Sequence, residues 1–386
     1  MEDNGTFCML AWESLGMNTH GRVRACGRST PNIDNPSLKN VSIGEAWNSN
    51  YYKKLRLDML NGIKNSNCIK CYKEEDLGGT SKRQLFNKRY KSNMNYYSNI
   101  TDSTGAIKNM PSQLDVRVGN ICNLKCTHCW TGNSSKWFED KLMLNKYENT
   151  EKIDIDNSWI DSNSQVWNYL KQNISSIKKL NFLGGEPFAN KHHNNFIKWC
   201  AENNKDNIEI NYVSNGTLIT DELIEVLTSF RVMSLGISLD AVIDRAEFLR
   251  YPTNWKHLNE RLIKLNKSFY KAQVYINYTA HALNILHLPE IRNYCQDSYP
   301  NIRFNLGDHV ITPKHMSIQN LPYNYKQIVY DKLTQYPEFK FYAEYMMKNN
   351  IWKDNKSTLL NYLNDLDITR NTNWRKVLPE IAELYE

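Results

Sequence analysis

The stretch "CNLKCTHC" (122–129) places Cys122, Cys126 and Cys129 within eight residues at C-x3-C-x2-C spacing. Structural zinc sites take four ligands, usually from two C-x-x-C knuckles. Three thiolates from one short loop therefore leave a metal position that nearby protein does not fill. A cubane iron–sulfur cluster gives that vacancy a use: thiolates hold iron well, and the iron without a cysteine stays free to bind something else. Cys8, Cys26, Cys68 and Cys71, the last two in "CIKC", form a complete thiolate set that zinc or a fully ligated cluster satisfies equally well. Cys200 in "FIKWCAENN" and Cys295 in "IRNYCQDSY" stand alone in helix-like segments and read as buried packing residues. A further candidate is "FLGGEP" (182–187), where two glycines let backbone approach a ligand and Glu186 can accept hydrogen bonds from an ammonium group.

These residues are positioned by alternating elements. Strand-like "LDVRV" (114–118), "KLNFL" (179–183), "IEINYV" (208–213), "VMSLGISL" (232–239), "QVYINYTA" (273–280) and "IRFNLG" (302–307) are separated by helix-like text. Six successive β-then-α units predict an α/β fold with a parallel sheet and outer helices. Six is too few for a closed eight-stranded barrel, so the expectation is an open, partial (β/α)6 barrel with its chemistry at the C-terminal ends of the strands. The cysteine loop and "FLGGEP" both follow such strands. The expected organisation is a cysteine-rich module over 1–87 that needs a metal to fold, a polar connector over 88–112, the barrel over 113–310 and a helical tail over 311–386.

The cysteine loop and "FLGGEP", each after a strand, resemble the radical S-adenosylmethionine (radical SAM) superfamily. The resemblance implies that Cys122, Cys126 and Cys129 hold a [4Fe–4S] cluster whose fourth iron chelates the amino and carboxylate groups of SAM. An electron from that cluster then cleaves a carbon–sulfur bond to give a 5′-deoxyadenosyl radical. His128 stands where the family usually carries an aromatic residue near the adenine. Gly184, Gly185, Glu186 and Pro187 match the segment that receives the methionine amino group. Asn215 in "SNGT" and Ser238 and Asp240 in "SLD" match polar groups for the ribose and the methionine carboxylate. Arg250 in "FLRYPTNW" matches an arginine near the SAM carboxylate, with Arg245 competing. On the residues alone, Asp240 equally reads as the cap of the next helix, and either arginine as half of a surface salt bridge.

The run from "FCMLAWESL" through "GRVRAC", "SIGEAWNS", "LRLDML" and "CIKCYKEE" resembles the shortened SPASM module known as a twitch domain, although that module usually follows the barrel. This implies a second, auxiliary [4Fe–4S] cluster on Cys8, Cys26, Cys68 and Cys71, suited to accepting the electron of a substrate radical. The implied activity is oxidative modification of a peptide or protein, with a reductant such as flavodoxin or ferredoxin. The competing readings are a radical SAM epimerase with a hydrogen-donating thiol, a radical SAM enzyme acting on a nucleic acid or small molecule, and a non-catalytic iron–sulfur or zinc protein.

Composition sets the remaining bounds. The 386 residues are 41% hydrophobic, enough for a sizeable core. The net charge of +7 is spread along the chain without a recognisable nucleic-acid module, which favours a solvated basic surface over a nucleic-acid groove. A secretory leader and a membrane span are not expected, because the N-terminus lacks a basic region followed by an apolar run and no sufficiently long apolar stretch occurs. The expected compartment is the reducing cytoplasm, where clustered cysteines serve as ligands.

Overall fold

The computed structural model describes residues 4–29, 34–76, 78–147, 157–161, 164–203, 205, 207–269 and 273–385. Its strands are β1 (Ser14–Met17), β2 (Val23–Arg24), β3 (Gln113–Arg117), β4 (Lys179–Leu183), β5 (Glu209–Ser214), β6 (Val232–Ser238), β7 (Val274–Ala280) and β8 (Arg303–His309). They form an eight-stranded, mostly parallel sheet in the order β2-β1-β3-β4-β5-β6-β7-β8, with helices between most of them. Strands β3 to β8 fall on the six segments expected from sequence. β1 and β2 do not, because a four-residue apolar run such as "SLGM" is too short for periodicity to reveal. β1 is nevertheless fully buried and pairs in parallel with β3 from Ser14↔Gln113 to Met17↔Val116, giving that strand a second neighbour.

Contacts divide the chain into two compact units. The first comprises Met1–Asn120, Ile155–Asn211 and Ser229–Val232; the second comprises Ile121–Asp154, Tyr212–Thr228 and Met233–Glu386. In the first, β3 and β4 run in register from Gln113↔Lys179 to Arg117↔Leu183. Leu180 and Phe182 are buried, while Lys179, Asn181 and Leu183 between them are half-buried, so β4 has one apolar and one mostly polar face.

The N-terminal residues have more core than expected. Arg56 is fully buried and donates to the carbonyls of Ala11 (2.9 Å), Trp47 (3.0 Å) and Gly105 (3.2 Å) and to Asn48 Oδ1 (3.1 Å), with its guanidinium 4.4 Å from the Trp47 ring centre. Trp12, Trp47, Tyr52 and Leu55 are buried with it. An aromatic core built around a satisfied cation gives this segment a means of folding besides metal.

In the second unit, β6 and β7 pair from Leu235↔Val274 to Ser238↔Asn277, and β7 pairs with β8 from Tyr275↔Arg303. Three longer helices follow, Tyr323–Leu333, Lys340–Met347 and Trp352–Arg370; the last buries Leu359, Tyr362, Leu363 and Leu366. Cys200 and Cys295 are 0% and 1% exposed on the helices Lys191–Glu202 and Leu288–Ser298. Among the described residues, no helix is long and apolar enough to cross a membrane.

Candidate functional site

The loop that carries Cys122, Cys126 and Cys129 has no regular structure, so its backbone groups need partners from elsewhere. The amides of Lys125 and Thr127 donate to the carbonyls of Tyr251 (2.7 Å) and Leu249 (2.8 Å). Side chains take the loop carbonyls: Ser134 Oγ donates to Leu124 (2.5 Å), Trp137 Nε1 to Cys126 (3.1 Å) and Tyr362 OH to Thr127 (2.5 Å). Lys125 is buried and reaches Asp140 at 2.5 Å, and Asp140 accepts from Arg370 Nε at 3.0 Å. The loop so pinned brings its thiols near enough to act on one another electrostatically. Burial pushes the Cys129 thiol up strongly, and Cys126 and Cys122 push it further. Buried, mutually repelling thiols are retained as thiolates when a cationic centre compensates them, so this donor set fits a cluster held on three cysteines.

A buried ion pair adjoins the loop. Arg250 Nη1 lies 3.7 Å from Cys126 Sγ, and Arg250 Nε lies 2.7 Å from Asp240 Oδ2. Asp240 Oδ1 also accepts from the Thr279 amide at 3.0 Å. The next helix, Ile243–Leu249, begins after Val242, so Asp240 is the partner of Arg250 and not a helix cap. Arg245 turns instead to Glu380, at 2.5 and 2.9 Å, and of the two arginines Arg250 is the one that faces the loop. Burial lowers the basicity of Arg250, but the Asp240 carboxylate and the Cys126 thiol more than offset it.

His128 Nε2 lies 3.7 Å from Asp240 Oδ2, and its ring stacks on His281 at 5.3 Å. Burial, reinforced by Arg250, pushes His128 down to about 3. Burial, with His128 adding, does the same to His281. The ligand atoms of His128, Asp240 and His281 lie within 4.8 Å of one another, as in a cation site. Arg250 already occupies the carboxylate, however, and His281 Nδ1 accepts from the Leu283 amide (3.3 Å), which leaves the proton on Nε2. The two imidazoles are neutral neighbours of the Arg250–Asp240 ion pair. His281 was not singled out from the sequence; its signal was its place directly after β7.

Asn215 Nδ2 donates to Asn123 Oδ1 (2.9 Å), and Asn123 Nδ2 to Thr217 Oγ1 (2.8 Å), which ties "SNGT" to the cysteine loop. Ser238 ends β6 opposite Asn277 and stands outside this network. Beside Cys129, Trp130, Trp137, Tyr147, Pro313, His315 and Tyr362 wall a cavity of about 220 Å³ that, among the described residues, no charged side chain lines.

The "FLGGEP" segment belongs to the first unit. Gly184 follows β4 with φ +131°, and a Cβ there would lie 2.6 Å from the Gly119 carbonyl oxygen and 2.9 Å from the Val118 nitrogen. The Gly185 amide donates to that same carbonyl at 2.9 Å. Glu186 is 1% exposed and accepts from the Phe188 amide (3.2 Å), capping the turn Pro187–Ala189. This fixes one carboxylate at the mouth of β4. Gly184→Ala should cost at least about 2 kcal/mol, from backbone strain joined to overlap with the 118–119 backbone; an unchanged melting temperature would refute this account.

Residues 116–292 match the radical SAM superfamily model. The match spans both the cysteine loop and "FLGGEP". Among solved structures, SuiB of Streptococcus suis bound to S-adenosylmethionine is 16% identical, with a TM-score of 0.40 over 74% of this chain. The chain covers 63% of SuiB, less than two thirds of its length. The structure of anSMEcpe with bound AdoMet is 17% identical over 58% of this chain and 57% of that one, with a TM-score of 0.40. No curated protein matches the chain.

Outside the radical SAM match, Cys8, Cys26, Cys68 and Cys71 line one cleft of the first unit, together with Arg28, Lys70, Lys82 and Arg83. Cys8 and Cys71 are buried, Cys26 and Cys68 half-buried. Burial pushes Cys68 up to about 12, with Cys26 and Cys71 adding and Arg83 opposing. Four thiols gathered in one cleft fit a metal centre, and the donor set serves zinc or a four-iron cluster alike.

Proposed function

We propose that this protein is a radical SAM enzyme with its catalytic [4Fe–4S] cluster on Cys122, Cys126 and Cys129. The observation that carries the reading is the pinned three-thiol loop, lying inside the stretch that matches the superfamily and backed by the Arg250–Asp240 pair. A cluster on these three cysteines would supply the electron for reductive cleavage of SAM, the source of a 5′-deoxyadenosyl radical able to take hydrogen from the substrate. The chain's own residues do the rest. Glu186, with Gly184, Gly185 and Pro187 shaping its turn, receives the SAM ammonium group. Asn215, Ser238 and the Arg250–Asp240 pair serve its polar groups, and His128 borders the adenine. The uncharged aromatic cavity beside Cys129 keeps water from the radical and admits the substrate.

We assign Cys8, Cys26, Cys68 and Cys71 to an auxiliary [4Fe–4S] cluster, which would serve as acceptor for the electron that a substrate radical gives up on oxidation. The twitch-like character of residues 1–87 supports this assignment and, with it, a peptide or protein substrate. A flavodoxin or ferredoxin would supply the reducing electron. An epimerase would need a hydrogen-donating thiol, and neither Cys200 nor Cys295 lines the cavity beside Cys129.

The test is anaerobic reconstitution, with iron, sulfide and zinc counted and 5′-deoxyadenosine followed after addition of SAM and a strong reductant. Two clusters per chain with deoxyadenosine formed are expected. A fully loaded protein that leaves SAM intact would refute the enzymatic reading.

A further inference from the structure

A helix that carries no cysteine grips both halves of the N-terminal cysteine cleft. The helix Lys82–Arg89 starts at Ser81, whose hydroxyl accepts from the Gln84 amide (3.3 Å) while Gln84 Oε1 accepts from the Ser81 amide (3.1 Å). Four residues apart on this helix, Arg83 and Asn87 lie on one face. Arg83 Nη1 and Asn87 Nδ2 both donate to the Phe7 carbonyl, each at 2.8 Å. Asn87 Oδ1 accepts from the Met9 amide at 3.0 Å. The backbone on either side of Cys8 is thereby held by two side chains of one helix.

The same arginine holds the other half. Its Nε and Nη2 donate to Glu75 Oε1 (3.0 Å) and Oε2 (2.7 Å), a bidentate pair that Ser81 Oγ joins. Glu75 lies on the helix Ile69–Asp76, four residues after Cys71 and directly following the turn that carries Cys68. Arg83 is 4% exposed, lines the cleft beside all four thiols and acts electrostatically on Cys68. A planar fork with fixed donors suits this task, whereas lysine could supply the charge but not the geometry.

We infer that Arg83, with Asn87, is the positioning residue of the N-terminal metal centre: it fixes the Cys8 segment against the Cys68–Cys71 segment and places one buried positive charge beside the bound metal. The inference rests on the reading of Cys8, Cys26, Cys68 and Cys71 as ligands. For a cluster, that charge favours the reduced form, which carries one more negative charge.

The test uses the full chain in a Cys122/Cys126/Cys129→Ala background, in which the N-terminal centre is read by itself. Arg83→Gln should lower iron occupancy, and the cluster that remains should be harder to reduce by at least tenfold, about 59 mV for one electron, in an EPR-monitored redox titration. Arg83→Lys should restore most of the potential but not the occupancy, and Asn87→Ala should lower occupancy with the potential unchanged. An unaltered potential in Arg83→Gln, or equal occupancy in all four proteins, would overturn the inference. If the parent protein holds zinc there, the cluster assignment fails. The clamp is then read from zinc loss to a chelator, expected to be at least tenfold faster in Arg83→Gln, with an equal rate overturning it. A parent protein that holds neither metal refutes the ligand reading and the clamp together.

Discussion

Replacing Cys122, Cys126 and Cys129 together by alanine is expected to abolish 5′-deoxyadenosine formation, a loss of at least about 10³-fold, small beside ordinary enzymatic accelerations. About four irons per chain should disappear with it, the content of one cubane cluster. The fold should survive. The loop is held by Lys125, Ser134, Trp137 and Tyr362 through backbone carbonyls and a buried ion pair, and none of those bonds uses a cysteine side chain. Circular dichroism should therefore match the parent protein while the iron count halves. If deoxyadenosine formation persists, the catalytic cluster sits on another cysteine set, and Cys8, Cys26, Cys68 and Cys71 become the first to test.

The strands that position this chemistry were legible most plainly in β4, β5 and β7, which repeat their burial every second residue. Ile210, Tyr212 and Ser214 of β5 are buried and alternate with half-buried Glu209, Asn211 and Val213. The cysteine loop was legible through spacing, since three thiols in one short loop have few structural uses. What supports the loop was not. Tyr362 donates to Thr127 across 235 residues, and Arg370 braces Asp140 across 230. No local pattern encodes such contacts, and the helix that supplies both read only as a tail. Asp240 shows the same limit at short range. Beside "SLD" a helix cap and a buried partner for Arg250 are equally good local readings, and tertiary packing decides between them. Arg83 and Asn87 were hidden for a related reason: on sequence they belong to a basic cluster, "KRQLFNKRYK", and their partners Phe7, Met9 and Glu75 lie outside it.

The Arg250–Asp240 pair carries the second large expectation. Asp240→Asn should destabilise the protein by about 3–5 kcal/mol, because it leaves a buried guanidinium without its counter-charge. The side chains of Asp240 and Arg250 are 0% and 8% exposed, so water cannot take over the lost partner. Asparagine is nearly isosteric and its Oδ1 can still accept from the Thr279 amide, so the loss reports charge and not shape. Arg250 does not escape by releasing its proton, because a guanidinium stays protonated in a protein even without a counter-charge. Arg250→Met leaves the carboxylate buried alone and should cost a similar amount. The double variant should cost clearly less than the sum of the two, with a coupling of about 2 kcal/mol or more, because neither charge remains. Urea unfolding of the metal-free proteins measures all four corners of this cycle. A single-variant cost below about 1 kcal/mol would mean that the pair is solvated like a surface bridge. The pair would then offer no fixed charge beside Cys126, and the part assigned to it in holding SAM would fall with it.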